Sequence, residues 1–482
     1  MHYFVNSVES KAYRLSKQSA YMAVSNIRLV FFYCNTDGSA NFMPARELEE
    51  GFYRTLVHFP HMTGYLKQTG YDTMDIIVDK TKLNMPDYRE SQSDIHYQDI
   101  ESANFDPATW PSDLLPVSDF VCPEKDTNLI KLANFHVVRL KENSGIAISQ
   151  NINHGIVDVY SAAEVLNRWA EETRALLTGV PAKPPNYCLD DRISLKYLPS
   201  ERTEIGDEIR RHYSERKSLL TDWLKWLSPN SRGKVLNYVS SRQPLRTHLF
   251  RVRREKLDEL RLELLEHVPP GTRLSDHDIL CAIGYKLNGQ ATYDAASKTQ
   301  SWLDKLLGYK PGTTGDHCIL IPHDIRHRLG MEHLNCIGNP LQGMIEVLPV
   351  GYAQSPTTNQ SIAEMAYRIR KITDSVTPES IGTVMDIIER DTCDIGTFLS
   401  GMKFDVHTVV ANLTRIKLYD ANFGSGVQAF STLCPPFVMG TFAFMPSPPS
   451  STDTIIFVTN SPDVMDGILS NTFWKDFATM MF

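Results

Sequence analysis

The chain has 482 residues, 42% of them hydrophobic, and a formal net charge of −8 at pH 7. This length is typical of two or more domains, and the acidic balance argues against broad binding to nucleic acid or anionic lipid, which need a basic surface. No apolar run approaches the roughly 18–20 residues that span a bilayer, and residues 1–17 lack the apolar core of a secretory signal.

The eight cysteines are too sparse to indicate a disulfide scaffold. None forms a Cys-x-x-Cys pair, and no Cys/His pair has zinc-finger spacing. We therefore expect free thiols, no metal site and a cytoplasmic protein.

The first half of the chain alternates predicted strands and helices. Leu48, Phe52 and Leu56 fall at i, i+4 and i+8, which indicates one apolar helix face, and alternating apolar residues on both sides of a polar turn predict a hairpin. In chain order we predict a strand at 27–33, a helix at 45–59, extended chain at 61–67, strands at 132–140 and 145–151, and a helix that covers 165–177.

Residues 186–245 follow a proline-rich stretch and carry many charges and prolines, with an amphipathic segment near 205–227. We interpret them as a crossover between two halves; a surface insertion within one domain remains an alternative. For the second half we predict strands at 247–252, before 324, at 441–445 and at 454–459, and helices at 256–267, 276–287, 361–373 and 462–469. Because strands and helices mix in both halves, we predict an α/β or α+β class with two domains.

The sharpest local feature is His154-Gly155-Ile156-Val157-Asp158. His154 stands where a strand ends and a helix is about to begin, a junction that projects a side chain into a cleft. An imidazole with a pKa near neutrality suits a general base. Asp158 can cap the helix or pair with an arginine. The spacing alone favours a structural histidine; the strand before it and the helix after it favour catalysis.

Two further segments are polar or glycine-rich. Asn422-Phe423-Gly424-Ser425-Gly426 permits a tight turn, and it lacks the glycine that a hydrolase nucleophile elbow has two residues before its serine. Residues 323–329, which contain His323 and His327, precede Gly338-Asn339. We expect 323–329 to be extended, so its two histidines do not share a helix face as a metal pair would.

In order and spacing these features resemble the BAHD acyltransferases, and the resemblance covers almost the whole chain. His154 and Asp158 match the family's H-x-x-x-D motif, residues 422–426 resemble its D-F-G-W-G motif, and residues 324–329 with Gly338-Asn339 resemble its D-x-R-x-R-L … G-N stretch. Residues 25–28, the helix that ends at 59–60 and the strand–proline–strand pattern around Pro446 also match.

The resemblance implies two chloramphenicol-acetyltransferase-like domains, each a mixed sheet with flanking helices. They would comprise an N-terminal lobe (1–185), a crossover (186–245) and a C-terminal lobe (246–482). It implies a cytoplasmic, monomeric enzyme of secondary metabolism that uses acyl-CoA and a small-molecule acceptor. No metal, no nucleic acid and no membrane partner is expected. The residues that contact coenzyme A are not identified by any motif.

The resemblance also assigns roles to residues. His154 would deprotonate the acceptor hydroxyl or amine in a ternary complex, without an acyl-enzyme. Thr414 would place a hydroxyl near the oxyanion. Asp158, Asn422, Gly424 and Gly426 would be structural residues of the site.

The chain departs from the family pattern at three positions: Val159 follows Asp158 where glycine is frequent, and Asn422 and Ser425 replace the second motif's Asp and Trp. Such departures are more typical of a fungal or other outlying branch than of plant members.

Two alternatives to this function stay open. One is a free-standing condensation-type domain that uses a carrier-bound acyl donor, although Asn153 replaces the first histidine of its H-H-x-x-x-D-G motif. The other is a catalytically inactive binding relative.

Overall fold

The computed structural model describes residues 2–70, 73–114, 121, 123–124, 129–201, 227–240, 244–299, 316–390 and 406–482. Helices and strands mix in both halves, as predicted. None of the helices in these ranges combines the length and apolarity needed to cross a membrane. The helices are α1 (His2–Ser7), α2 (Lys17–Met22), α3 (Ala45–Leu56), α4 (Tyr97–Ser102), α5 (Val159–Thr178), α6 (Pro229–Ser240), α7 (Arg254–Leu265), α8 (Asp276–Thr299), α9 (Val350–Gln354), α10 (Asn359–Ser375), α11 (Pro378–Arg390), α12 (Pro462–Ser470) and α13 (Thr472–Phe477). The strands are β1 (Lys11–Arg14), β2 (Asn26–Cys34), β3 (Tyr65–Gln68), β4 (Met74–Val78), β5 (Asp87–Gln92), β6 (Ala133–Arg139), β7 (Gly145–Asn153), β8 (Arg246–Val252), β9 (Asp316–Asp324), β10 (Leu341–Pro349), β11 (Val406–Asn412), β12 (Val427–Leu433), β13 (Thr441–Met445), β14 (Thr454–Asn460) and β15 (Thr479–Met480).

The N-terminal sheet has the order β12-β2-β7-β6-β5. All nine residues of β7 are buried, as expected of a strand whose two faces are both covered. Strands β6 and β7 form the predicted antiparallel hairpin, and β2 confirms the strand predicted at 27–33. The register pairs Asn26 with Asn153, so the end of β7 lies beside the start of β2.

Helices α3 and α5 cross closely on this sheet. The indole Nε1 of Trp169 donates to the carbonyl of Leu48 (2.8 Å), and a Cβ at Gly51 would lie 2.3 Å from Oγ1 of Thr173. Only a glycine permits this separation of the two helices. Both helices were predicted, but the helix predicted at 45–59 ends at Leu56. The extended chain expected at 61–67 was partly wrong, because Pro60–Thr63 forms a 3-10 turn before β3.

The C-terminal sheet has the order β10-β9-β11-β13-β14-β8-β15. Strand β11 runs parallel to both β9 and β13, and the other described pairs are antiparallel. Because the carboxyl ends of parallel neighbours meet at one edge of a sheet, Asp324 at the end of β9 and Asn412 at the end of β11 lie at the same edge. The strands and helices predicted for this half are present, and α8 continues to Thr299.

One strand from the second half of the sequence belongs to the N-terminal sheet. Strand β12 pairs antiparallel with β2, although the predicted boundary at 246 assigns it to the C-terminal lobe. This strand was not predicted, and local patterning does not show which sheet a strand joins. The domain ranges otherwise stay a prediction.

The start of the predicted crossover packs against the second half of the chain. Ile193, Leu195 and Tyr197 contact a buried cluster that includes Ile325 and Met385. Most of the amphipathic stretch predicted near 205–227 lies outside the described residues, and helix α6 follows it.

The extended conformation expected at 323–329 was wrong. Strand β9 ends at Asp324 and the chain turns immediately afterwards. The backbone N–H of Arg326 donates to Oδ1 of Asp324 (2.9 Å), a local bond that competes with strand pairing. His323 is buried and His327 is exposed, so the two rings do not form a metal pair.

We predict that Gly426→Ala destabilises the protein by roughly 2–4 kcal/mol. Gly426 precedes β12 with φ +74°, and a Cβ there would lie 2.2 Å from Cε2 of Phe42 and 2.8 Å from the carbonyl oxygen of Cys34. Urea denaturation measures the loss.

Gly179→Ala is the matched control. Gly179 ends α5 with φ +72° and has nothing within 4 Å of its virtual Cβ, so only the backbone cost of about 1 kcal/mol applies. Equal losses in the two variants would contradict the steric explanation.

Candidate active site

His154 lies in a short loop that is fixed at its base by Asn153. The amide Nδ2 of Asn153 donates to the carbonyl of Ala23 (2.9 Å), and its Oδ1 accepts the N–H of Gly155 (2.9 Å). The N–H of His154 donates to the carbonyl of Ser25 (2.9 Å). A Cβ at Gly155 would lie 2.6 Å from the Cβ of Ala23, so the loop packs directly on the backbone before β2.

The imidazole of His154 is held by the loop itself. Its Nδ1 lies 3.0 Å from the carbonyl oxygen of Val157. Because a carbonyl only accepts hydrogen bonds, Nδ1 carries the proton and Nε2 keeps its lone pair. Burial lowers the pKa of His154, and this outweighs the opposing effects of backbone hydrogen bonds and the Asp158 carboxylate. The residue keeps partial exposure to solvent. The arrangement therefore favours a neutral imidazole whose Nε2 keeps its lone pair.

Asp158 caps α5 and forms a buried ion pair. Its Oδ1 accepts the N–H of Ser161 (2.8 Å). Arg326 donates Nη1 to Oδ2 (2.7 Å) and Nη2 to Oδ1 (3.2 Å) of the same carboxylate. Both side chains are almost inaccessible to solvent, so the sequence-based expectation of an arginine partner is met by Arg326.

Arg326 has further partners that fill its remaining donors. Nε and Nη2 donate to the carbonyl of Cys336 (3.2 and 3.1 Å), and Nη2 also reaches Oγ of Ser161 (3.1 Å). The guanidinium stacks over the ring of Tyr160 at 4.5 Å. A buried arginine needs such a complete set of acceptors to offset its desolvation.

Gly338 and Asn339 connect the C-terminal half to the histidine loop. The carbonyl of Gly338 accepts the N–H of Asp158 (2.9 Å), and Nδ2 of Asn339 donates to the carbonyl of His154 (2.6 Å). The G-N stretch, identified only by resemblance, thus contacts both motif residues directly.

Asp191 joins the same network and was missed in the sequence. Its carboxylate accepts the N–H of Ser16 (2.8 Å), the hydroxyl of Ser19 (2.9 Å) and the N–H of Asn339 (3.2 Å). Burial raises its pKa, against the effect of these hydrogen bonds. A single acidic residue in a charged, proline-rich segment carries no motif, so the sequence offered no signal.

Thr414 follows β11 at the same sheet edge as Asp324. It is exposed, and its hydroxyl donates to Oδ1 of Asn412 (2.7 Å). Nδ2 of Asn412 lies 3.2 Å from Nδ1 of His277, whose ring is 6.1 Å from that of His323. The structure therefore places Thr414 just after the end of β11, with its hydroxyl proton directed to Asn412 and not to His154.

The second motif lies away from the histidine loop. The carbonyl of Asn422 accepts Nη1 of Arg174 (2.8 Å), and Gly424 has φ +95° beside Leu177. Arg174 is sixteen residues after Asp158 on α5, which corresponds to about 24 Å along the helix. Asn422 and Gly424 thus lie at the far end of α5, whereas Gly426 packs against Phe42 and the carbonyl of Cys34.

Within the described residues no group of three or more His, Cys, Asp or Glu side chains is arranged to hold a metal ion.

We predict that Asp158→Ala lowers the free energy of unfolding by about 3–5 kcal/mol, because it leaves the Arg326 charge buried and unpaired. Urea denaturation of the purified protein measures this loss.

Asp324→Ala is the control. Asp324 contacts the same guanidinium (3.2 Å) but its side chain is 44% exposed, so we expect a loss of about 1 kcal/mol. An Asp158→Ala protein as stable as the wild type but inactive would contradict a structural role and indicate a direct one.

The chain is similar to known proteins in sequence and in fold. Residues 6–205 match the sequence model of the Transferase family. Among solved structures, TRI101 of F. graminearum complexed with coenzyme A and deoxynivalenol superposes with a TM-score of 0.72 at 13% identity, covering 98% of this chain and 100% of that one. Vinorine synthase gives 0.59 at 15% identity, covering 96% and 94%. The first condensation domain of the calcium-dependent antibiotic synthetase gives 0.53 at 13% identity, covering 96% and 94%.

No curated protein sequence matches the chain. The structural matches extend over nearly the whole chain, which confirms the predicted two-domain α/β architecture. Residues 6–205 thus match the Transferase family, and the fold shared with TRI101 and vinorine synthase extends over the rest of the chain, in agreement with the resemblance to the BAHD acyltransferases.

Proposed function

We propose that this protein is an acyltransferase that moves an acyl group from acyl-CoA to a hydroxyl or amine of a small-molecule acceptor of secondary metabolism. The observation that carries the proposal is the hydrogen bond from His154 Nδ1 to the Val157 carbonyl, which leaves Nε2 free as a base. The acyl donor is proposed by analogy with the similar fold of TRI101, which was solved with coenzyme A.

The proposed reaction needs one proton carrier. Nε2 of His154 takes the proton from the acceptor as its oxygen or nitrogen attacks the thioester carbonyl. The tetrahedral adduct then breaks its C–S bond, and the imidazolium returns the proton to the departing thiolate. Acceptor and donor are held together in a ternary complex, so no acyl-enzyme forms. Asn339 and Asp158 act as positioning residues, because they hold the loop and not the reacting atoms.

Thr414 is the proposed donor to the oxyanion. Its hydroxyl now donates to Asn412, and rotation about the Cβ–Oγ bond would redirect the proton. One such donor contributes about 2.7–4 kcal/mol in other acyl-transfer enzymes. Thr414 is exposed at the sheet edge where β9 and β11 end, next to the Asp324–Arg326 turn, and this position supports the role.

A condensation-type reaction with a carrier-bound donor is the second candidate, favoured by the fold shared with the condensation domain. Against it, the side chain of Asn153, which stands where that motif has its first histidine, is occupied by Ala23 and Gly155. Incubation with acyl-CoA and with acyl-carrier protein, in the presence of alcohol and amine libraries, separates the two through release of free thiol. Consumption of the carrier-bound donor alone would reject the coenzyme A proposal.

We predict that His154→Ala lowers kcat/KM for acyl transfer by about 10³-fold or more, because the variant lacks the base and its oriented lone pair. Thiol release from acyl-CoA measures the rate. His327→Ala is the control, because that ring is 88% exposed on a nearby turn, and it should leave the rate unchanged. Full turnover by His154→Ala would overturn the mechanism, and no turnover by the wild type with any donor would favour an inactive relative.

The pH profile gives a separate prediction. The base works in its neutral form, so the rate is constant above its pKa and falls tenfold per pH unit below it. Because burial lowers the pKa of His154 from 6.5, the acid limb of kcat/KM should have its midpoint below pH 6.5. Initial rates with a non-ionising alcohol acceptor measure it, and a midpoint above pH 7 would show that another group controls the rate.

A further inference from the structure

Cys188 and Cys336 lie opposite each other where the crossover meets the C-terminal half. The N–H of Cys188 donates to the carbonyl of Asn335 (3.3 Å), and the N–H of Ile337 donates to the carbonyl of Cys188 (2.9 Å). This pattern makes a parallel bridge between the two cysteines. Residues paired in this way are about 4.8 Å apart, within the roughly 4.4–6.8 Å between Cα atoms that a disulfide requires.

The two side chains are on the same side of the bridge. Side chains of paired residues in a parallel bridge project from the same face, and the nearby Cys188 thiol contributes to raising the pKa of Cys336. Both cysteines are free thiols in this structure. The pair is therefore placed to form a bond without a change in backbone pairing.

The surroundings differ for the two sulfurs. Cys188 is half-buried, whereas Cys336 is 2% exposed. Burial raises the pKa of Cys336 to about 12, so this thiol stays protonated and resists direct oxidation. An oxidant in solution meets Cys188 first.

We propose that Cys188 and Cys336 are a redox-sensitive pair that a peroxide converts to a disulfide joining the crossover to the C-terminal half. The Cys188 sulfur attacks the peroxide oxygen, which breaks the O–O bond and gives a sulfenic acid and one water from hydrogen peroxide. The Cys336 sulfur then displaces the hydroxyl, forms the S–S bond and releases a second water. The two thiols lose two electrons, which reduce one peroxide. A dithiol reductant reverses the reaction.

The position of the pair connects it to the candidate active site. The carbonyl of Cys336 accepts two hydrogen bonds from Arg326, the arginine that holds Asp158. Two residues later, Gly338 contacts the N–H of Asp158. The disulfide would therefore fix the strand that supports the histidine loop, and it would close a loop of more than one hundred residues, which restricts the unfolded chain.

The test uses the full-length protein treated with hydrogen peroxide, then thiol blocking, proteolysis without reductant and mass spectrometry. We expect a cross-linked peptide pair containing Cys188 and Cys336 that dithiothreitol separates. The oxidised protein should also unfold at a temperature several degrees above that of the reduced one. Cys188→Ser and Cys336→Ser should each lack both effects.

Cys34→Ser is the matched control, because Cys34 is also a half-buried free thiol but is paired across its strands with Gly145 and Val427. This variant should keep the cross-link and the temperature shift. A Cys188 that is oxidised only to sulfenic or sulfinic acid, that joins another cysteine, or that remains a thiol would overturn the proposal. None of these measurements depends on acyl transfer, so they are independent of the proposed function.

Discussion

The buried pair of Asp158 and Arg326 is the interaction on which the candidate site depends. The two residues are 168 positions apart in the sequence, and neither charge can stay buried without the other. The same carboxylate caps α5, so the helix start, the histidine loop and the turn after β9 are fixed relative to one another. The position of the proposed base consequently depends on contacts from both halves of the chain.

The orientation of His154 follows from a different contact, the carbonyl of Val157. In a Ser-His-Asp triad a carboxylate holds the equivalent nitrogen and stabilises the imidazolium. Here a neutral carbonyl fixes the tautomer, and burial lowers the pKa. A weak base that returns its proton readily is suited to a reaction in which the proton moves from the acceptor to a departing thiolate within one complex.

Part of this arrangement could be predicted because it is local. The apolar run up to Asn151 and an amphipathic stripe after Asp158 placed His154 between a strand and a helix. A carboxylate at a helix start was expected to cap the helix or pair with an arginine. Asp191, by contrast, works through Ser16, Ser19 and Asn339, which come from distant segments. Its role depends on tertiary contacts that the spacing of residues in the sequence does not show. The same limit explains β12, which was not predicted as a strand and pairs with the distant β2, and the turn after Asp324.

The substitutions in the second motif can be explained by the position of that motif in the fold. Asn422 and Ser425 bind at the far end of α5 and beside residue 43: the carbonyl of Asn422 accepts from Arg174, and Oγ of Ser425 accepts the N–H of Met43 (3.1 Å). Backbone and hydroxyl groups thus supply contacts there without the acidic and indole side chains of the family pattern. Because this end is about 24 Å from Asp158 along the helix, the substitutions change how α5 is anchored and leave the histidine loop intact. These two departures in the second motif therefore do not argue for an inactive relative.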